Sequence, residues 1–221
     1  MTRLFVLEIK QHLVLKLLAK ITLITLLCSC ATQSSKVDDS SSQDQAVKNQ
    51  LAQGEYYINE PLPDALSQLL IKAQQFVLSE DYDPALNVLS EAKKQFPEYP
   101  QVDMNIAIIA LKQQNYDFAL KSVSGALDAR KDYPPALNMK GVIYRITGEF
   151  ESARMAYEKA ILVAPNYPKP YLNLGILADL YLQDLALALM SFEQYLEIVS
   201  EDDKVENWLI DLKRRMPQEN Q

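Results

Sequence analysis

At 221 residues, with 48% hydrophobic and 23% charged side chains, the chain has the composition of a soluble globular protein of one or two compact domains. Its formal net charge of −7 sets it against phosphate backbones and anionic lipid surfaces, which argues against a nucleic-acid partner. The single histidine, His12, and both cysteines, Cys28 and Cys30, fall at the start of the chain, so the remainder lacks the imidazole or thiol that a zinc site, a Cys or His nucleophile or a Ser-His-Asp triad requires.

Residues 1–29 carry Arg3, Lys10, Lys16 and Lys20 against one acid, Glu8, and close on the uncharged run from Ile21 to Ser29. A basic stretch leading into a short apolar one is the layout of a secretory signal, and the run is too short to cross a bilayer as a helix. Leu27, Cys28, Ser29 and Cys30 resemble the lipobox of bacterial lipoproteins, in which a leucine and a small residue precede the cysteine that receives diacylglycerol. The resemblance implies removal of residues 1–29 and lipidation at Cys30, and two or more acyl chains hold a protein stably at a membrane. Ala31 stands where an aspartate usually marks inner-membrane retention, so the expected address is the outer membrane, facing the periplasm. Cleavage removes four bases and one acid and leaves a net charge of about −10.

Residues 30–60 are rich in Ser, Gln, Asp and Asn, as from Ser40 to Gln45, with no aromatic before Tyr56. So little apolar surface does not offset ordering entropy, and a disordered, flexible linker is expected, with a reach of about 30 Å.

Residues 61–202 are periodic. Tyr99-Pro100, Tyr133-Pro134 and Tyr167-Pro168 recur every 34 residues, as do Ala85, Ala119 and Ala153, and Ala92, Ala126 and Ala160. Small residues Ala73, Ala107, Gly141 and Gly175 form another such series, and bulky Leu89, Val123 and Tyr157 a fourth. Apolar spacings of three and four, as in Ala153, Ala156, Tyr157 and Ala160, mark one face of a helix. Small side chains at Gly141 and Ala153 let two helices approach closely, and Pro134 and Pro168 suit a helix's first turn. Gly148-Glu149-Phe150 and its analogues from Asn115 and Asp81 read as hairpin turns.

These residues resemble the tetratricopeptide repeat (TPR), with the fullest copy at Gly141, Tyr144, Gly148, Ala153, Tyr157, Ala160 and Pro165. The implied fold is an all-α solenoid of four helix-turn-helix repeats, at 66–99, 100–133, 134–167 and 168–202. Departures from the pattern are Lys72 and Lys140 at a site that is usually leucine, Lys131 and Ser200 in place of the terminal proline, and Tyr195 in place of alanine. The last copy holds one extra residue between Gly175 and Ala188. Residues 203–221 read as a capping helix and tail. Ser200-Glu201-Asp202-Asp203 forms a capping box, Val205, Trp208, Leu209, Leu212 and Met216 the apolar face, and Lys213, Arg214 and Arg215 complement the helix dipole.

The acidic group Glu80, Asp81 and Asp83 lacks the glycine and closing glutamate of an EF-hand and reads as a solvated turn, and the scattered glycines form no phosphate loop. No metal or cofactor is expected. A glycan hydrolase using carboxylates alone is the rival reading, although no spacing places two of them around a cleft. In TPR proteins the inner face of the first helix of each repeat lines a groove for peptides. Carried over, that face comprises Met104, Ile108, Leu111, Asn138, Val142, Arg145, Leu172, Ile176 and Asp179. Its apolar character points to a hydrophobic peptide or helix of an envelope protein as the partner. Only Asn138 and Arg145 resemble part of the basic clamp by which some members hold a C-terminal carboxylate. The segment from Asn173 to Arg215 resembles the repeat proteins associated with TonB, ExbB and ExbD, while pilotins and adaptors of peptidoglycan hydrolases share the architecture.

Overall fold

The computed structural model describes residues 62–216; the expected export segment, the expected lipidation site Cys30 and the expected linker lie outside the described residues. Among the described residues the secondary structure is wholly helical. The helices are α1 (Asp64–Leu78), α2 (Tyr82–Gln95), α3 (Pro100–Lys112), α4 (Tyr116–Ala129), α5 (Pro134–Thr147), α6 (Phe150–Val163), α7 (Pro168–Leu177), α8 (Leu185–Val199) and α9 (Asp203–Arg215). A π-helical turn, Ala178–Leu182, extends α7. Short connections pair α1 with α2, α3 with α4, α5 with α6 and α7 with α8 into hairpins, and α9 packs on α8. This is the expected solenoid of four repeats and a cap.

Each Tyr-Pro pair opens the first helix of a repeat. The proline occupies the first helical position, where a missing N–H costs nothing, and biases the preceding tyrosine toward extended backbone. Tyr99, Tyr133 and Tyr167 accordingly have φ of −94°, −86° and −88° and serve as N-caps. The hairpin turns share one geometry. A residue in the left-handed region follows the first helix, as Glu80, Gln114, Gly148 or Gln183, and the next amide bonds back across the turn. Asp81, Asn115 and Glu149 donate to carbonyls five residues earlier, at 2.9, 2.9 and 2.8 Å.

The extra residue of the fourth repeat is absorbed in this turn. Asp184 donates to Ala178, six residues back, at 3.0 Å, and the chain between them forms the π-helical turn. A single insertion in a helix is commonly accommodated this way. The hairpin below it keeps its register.

Among the described residues the interior holds four apolar clusters, three made from one hairpin and the first helix of the next and the fourth from the last hairpin and α9. Within them, residue sizes compensate across each hairpin. Ala73 shares a cluster with Leu89, and Ala107 with Val123. Gly141 faces Tyr157, and Gly175 faces Phe192, so closely that a Cβ on either glycine would collide with the ring. Aromatic rings fit only where the opposing helix carries no side chain. Such interdigitation at crystal-like density leaves no room for an uncompensated change.

One expectation is corrected at the cap. Ser200 does not open α9; it closes α8 with φ 72° and ψ −42°. Asp202 is the N-cap, accepting from the amides of Lys204 (3.1 Å) and Val205 (3.2 Å). Its second oxygen accepts from the Tyr195 hydroxyl at 2.9 Å. A carboxylate there satisfies two helix-end donors and a buried phenol together, which a serine two residues earlier could not reach. Tyr195, the departure from alanine, thereby joins α8 to α9. Ion pairs Lys213–Glu193 (2.9 Å) and Arg215–Asp179 (2.7 Å) fasten the other end of α9.

Candidate peptide-binding groove

The first helices of the first three repeats, α1, α3 and α5, line a groove of about 860 Å³, with Tyr167 added from the end of the third repeat and Lys169 from the fourth. Its apolar wall is Leu70, Ile71, Val77 and Leu78 from α1 and Met104 and Ile108 from α3. Ile71, Leu78 and Ile108 are 56%, 77% and 38% exposed, an unusual loss of burial for large aliphatic side chains gathered on one surface.

Amides form the polar part of the groove. Asn173 Nδ2 donates to Asn138 Oδ1 at 2.9 Å, holding the Asn138 side chain in place, and Asn105 Nδ2 donates to the Gln101 carbonyl at 2.8 Å. The Gln101 Oε1 oxygen is buried and has no partner among the described residues. A buried acceptor left open is costly, and a donor brought by a bound peptide would satisfy it. Charge in the groove is sparse, with Glu80 against Lys112 and Lys169. Apolar anchors beside uncharged amides suit a hydrophobic helix or extended strand whose main-chain groups meet the amides.

Of the residues expected on this face, Met104, Ile108 and Asn138 line the groove. Leu111 packs against the cluster of α3, α4 and α5, and Val142 against that of α6 and α7. Leu172 and Ile176 pack into the cluster that α9 covers. Asp179 is held by Arg215, and Ile176 and Asp179 line a separate cavity of about 450 Å³ with Trp208. The cap helix thus claims the fourth repeat's share of the face.

Arg145 lies two turns beyond Asn138 on the same face of α5. Its guanidinium carbon is 5.9 Å from the Tyr181 ring centroid, and neither its buried Nε nor the buried Tyr157 hydroxyl has a partner of hydrogen-bond geometry. Burial lowers the Arg145 pKa, but the neighbouring Tyr157 and Tyr181 phenols raise it further, for a net rise. Burial likewise pushes the Tyr157 phenol up, against the pull of Arg145.

The α1 wall was absent from the sequence expectation, although its signal was present. Leu70, Gln74 and Val77 stand one 34-residue repeat before Met104, Ile108 and Leu111, and all three line the groove. Tyr133 and Tyr167 also line it, beyond their part in starting helices.

The fold and groove define a helical-hairpin solenoid with a peptide-sized concavity. The chain belongs to the tetratricopeptide repeat-like domain family, which matches residues 31–176. Over 117 residues, 50% of its length, it is 32% identical to the human intraflagellar transport protein 88 homolog, of which it spans 14%. Among solved structures, Pseudomonas aeruginosa pilF is similar at a TM-score of 0.62 and 18% identity, with 69% of each chain covered. MamA from Desulfovibrio magneticus RS-1 gives 0.57 and 18% over 70% of this chain and 87% of that one. A thermophilic TPR protein of Thermus thermophilus gives 0.56 and 22% over 69% and 84%. At these identities the likeness establishes the fold. As a TPR scaffold, the chain is suited to protein–protein interaction.

Proposed function

We propose that the chain is a non-catalytic scaffold of the bacterial envelope, lipid-anchored through Cys30 at the outer membrane, that holds an apolar segment of a partner protein between α1, α3 and α5. The observation that carries the reading is the exposed trio Ile71, Leu78 and Ile108 beside the amide row of Gln101, Asn105 and Asn138. The lipobox-like sequence and polar linker support the anchor and a standoff from the membrane. The setting we favour is a TonB-type energy-transduction complex, supported by the likeness of residues 173–215 to repeat proteins of that group.

Periplasmic cross-linking and purification of the full chain, beside an Ile71→Glu plus Ile108→Glu variant, tests the groove. Loss of specific partners from the variant is expected; identical partners on both would end the assignment. Recovery of ExbB- or ExbD-type proteins supports the setting, whereas a secretin or a peptidoglycan hydrolase would move it to pilus assembly or the cell wall. Labelled palmitate should enter the wild type and not Cys30→Ser. Glycan hydrolysis by the purified chain would favour the carboxylate enzyme instead.

A further inference from the structure

On the other side of α5 from the groove, a second concavity brings three lysines together. Lys131 follows α4, Lys140 lies on α5 and Lys159 on α6, and all line a cleft of about 480 Å³. Asn138 and Lys140 are two residues apart on one helix, roughly 200° around its axis, so groove and cleft open in different directions. The floor of the cleft is apolar, built from Leu127, Leu137, Tyr144 and Met155.

Two of the three lysines are departures from the repeat pattern. Lys131 replaces the terminal proline of the second repeat, and Lys140 replaces a leucine in the third. Lys140 places its ammonium 5.7 Å from the Tyr144 ring centroid, within range of a cation–π contact. None of the three ammonium groups forms an ion pair among the described residues, and Asp128 is the one carboxylate lining the cleft. In a chain with a net charge of −7, this is a local reversal of sign around an apolar floor. Met155, 62% exposed, adds a flexible side chain able to adapt to a bound surface.

We infer that this cleft is a second docking site, for a peptide segment that alternates acidic and large apolar residues. Its apolar side chains fill the floor over Leu137, Tyr144 and Met155, and its carboxylates pair with Lys131, Lys140 and Lys159. Charge complementarity selects this occupant, because three ammonium groups against the single carboxylate of Asp128 line the cleft and an uncharged peptide would gain nothing from that excess. The scaffold then joins two partners of different chemistry across one repeat, an apolar one in the groove and an acidic one on its back.

The test is selection of a displayed library of short random peptides on the full chain, followed by affinity measurement of the enriched sequences as free labelled peptides. Acidic and apolar residues should alternate in the sequences that survive on an Ile71→Gln plus Ile108→Gln background. Their affinity should fall about tenfold or more in the Lys131→Gln, Lys140→Gln, Lys159→Gln variant. Lys140→Leu, which restores the repeat pattern and leaves folding intact, should lose part of that affinity. Enriched peptides without acids, equal binding to the triple variant, or no enrichment would overturn the inference. So would displacement by inorganic phosphate at comparable concentration, which would make this an ion site, or dimerisation abolished by the triple variant, which would make the occupant a second copy.

Discussion

An alanine at position 141 would bring its Cβ within 2.5 Å of the Tyr157 ring, and the ring has no room to withdraw because Tyr157 is fully buried. Overpacking of this kind costs about 1–3 kcal/mol, so Gly141→Ala should lower the urea midpoint accordingly. Tyr157→Leu, by opening a cavity, should cost about 2–4 kcal/mol by itself. Combined, the two changes should cost clearly less than their sum, by roughly 1 kcal/mol or more, since leucine vacates the space the new methyl needs. Additive losses would show that the close approach is not what limits the pair. Removing only the unpartnered phenol oxygen, in Tyr157→Phe, should leave stability within about 1 kcal/mol of wild type. A larger loss would reveal a bond to Arg145 in solution.

The hairpin turns differ in one respect that can be exploited. Gly148 takes the left-handed conformation freely, but Glu80, Gln114 and Gln183 hold it at φ near 57° at a cost of about 1 kcal/mol each. Gln114→Gly should therefore raise stability by a few tenths to about 1 kcal/mol, and Gly148→Ala should lower it by about 1 kcal/mol. Calorimetric melting of the two variants beside wild type decides it. At the junction of α8 and α9, burial and the Asp202 carboxylate push the Tyr195 phenol up to about 12. Its folded value thus exceeds its unfolded one near 10, so the proton is held more tightly in the folded state. That contribution is whole below pH 10 and fades as pH rises through 12. The stability difference between wild type and Tyr195→Phe should shift over that window and be flat at lower pH. The helices were legible in the sequence because Tyr-Pro pairs, alanines and glycines record constraints internal to one hairpin. The sequence placed the start of α9 correctly but not its N-cap, because the choice of Asp202 over Ser200 rests on Tyr195, which no spacing rule within the cap would consult.

Over the whole molecule, stability passes from neighbour to neighbour, because every apolar cluster is shared between one hairpin and the next helix. Ending the chain after Val199 would uncover Phe192 and Tyr195. Hydrogen exchange should then accelerate in α7 and α8 while α1 to α4 keep their protection; uniform acceleration would mean that the solenoid melts as one unit. The same sharing explains why the groove was only partly readable. An apolar position on the first helix of a repeat can serve the groove, the adjacent hairpin or both, and its neighbours in the next repeat decide which. Ile108 faces outward, Met104 is shared between the groove and the buried cluster of the second hairpin, and Leu172 and Ile176 are taken by the cap.

The matching of Gly141 to Tyr157, and of Gly175 to Phe192, also bears on ancestry. A gene rearrangement that breaks inside a hairpin pairs a bulky ring with the wrong opposing helix, whereas one that breaks at a Tyr-Pro boundary carries both halves of the fit together. Duplication and exchange within this lineage should therefore have kept to those boundaries. A chimera receiving α5 and α6 as one cassette should express and fold where a donor of α5 alone does not.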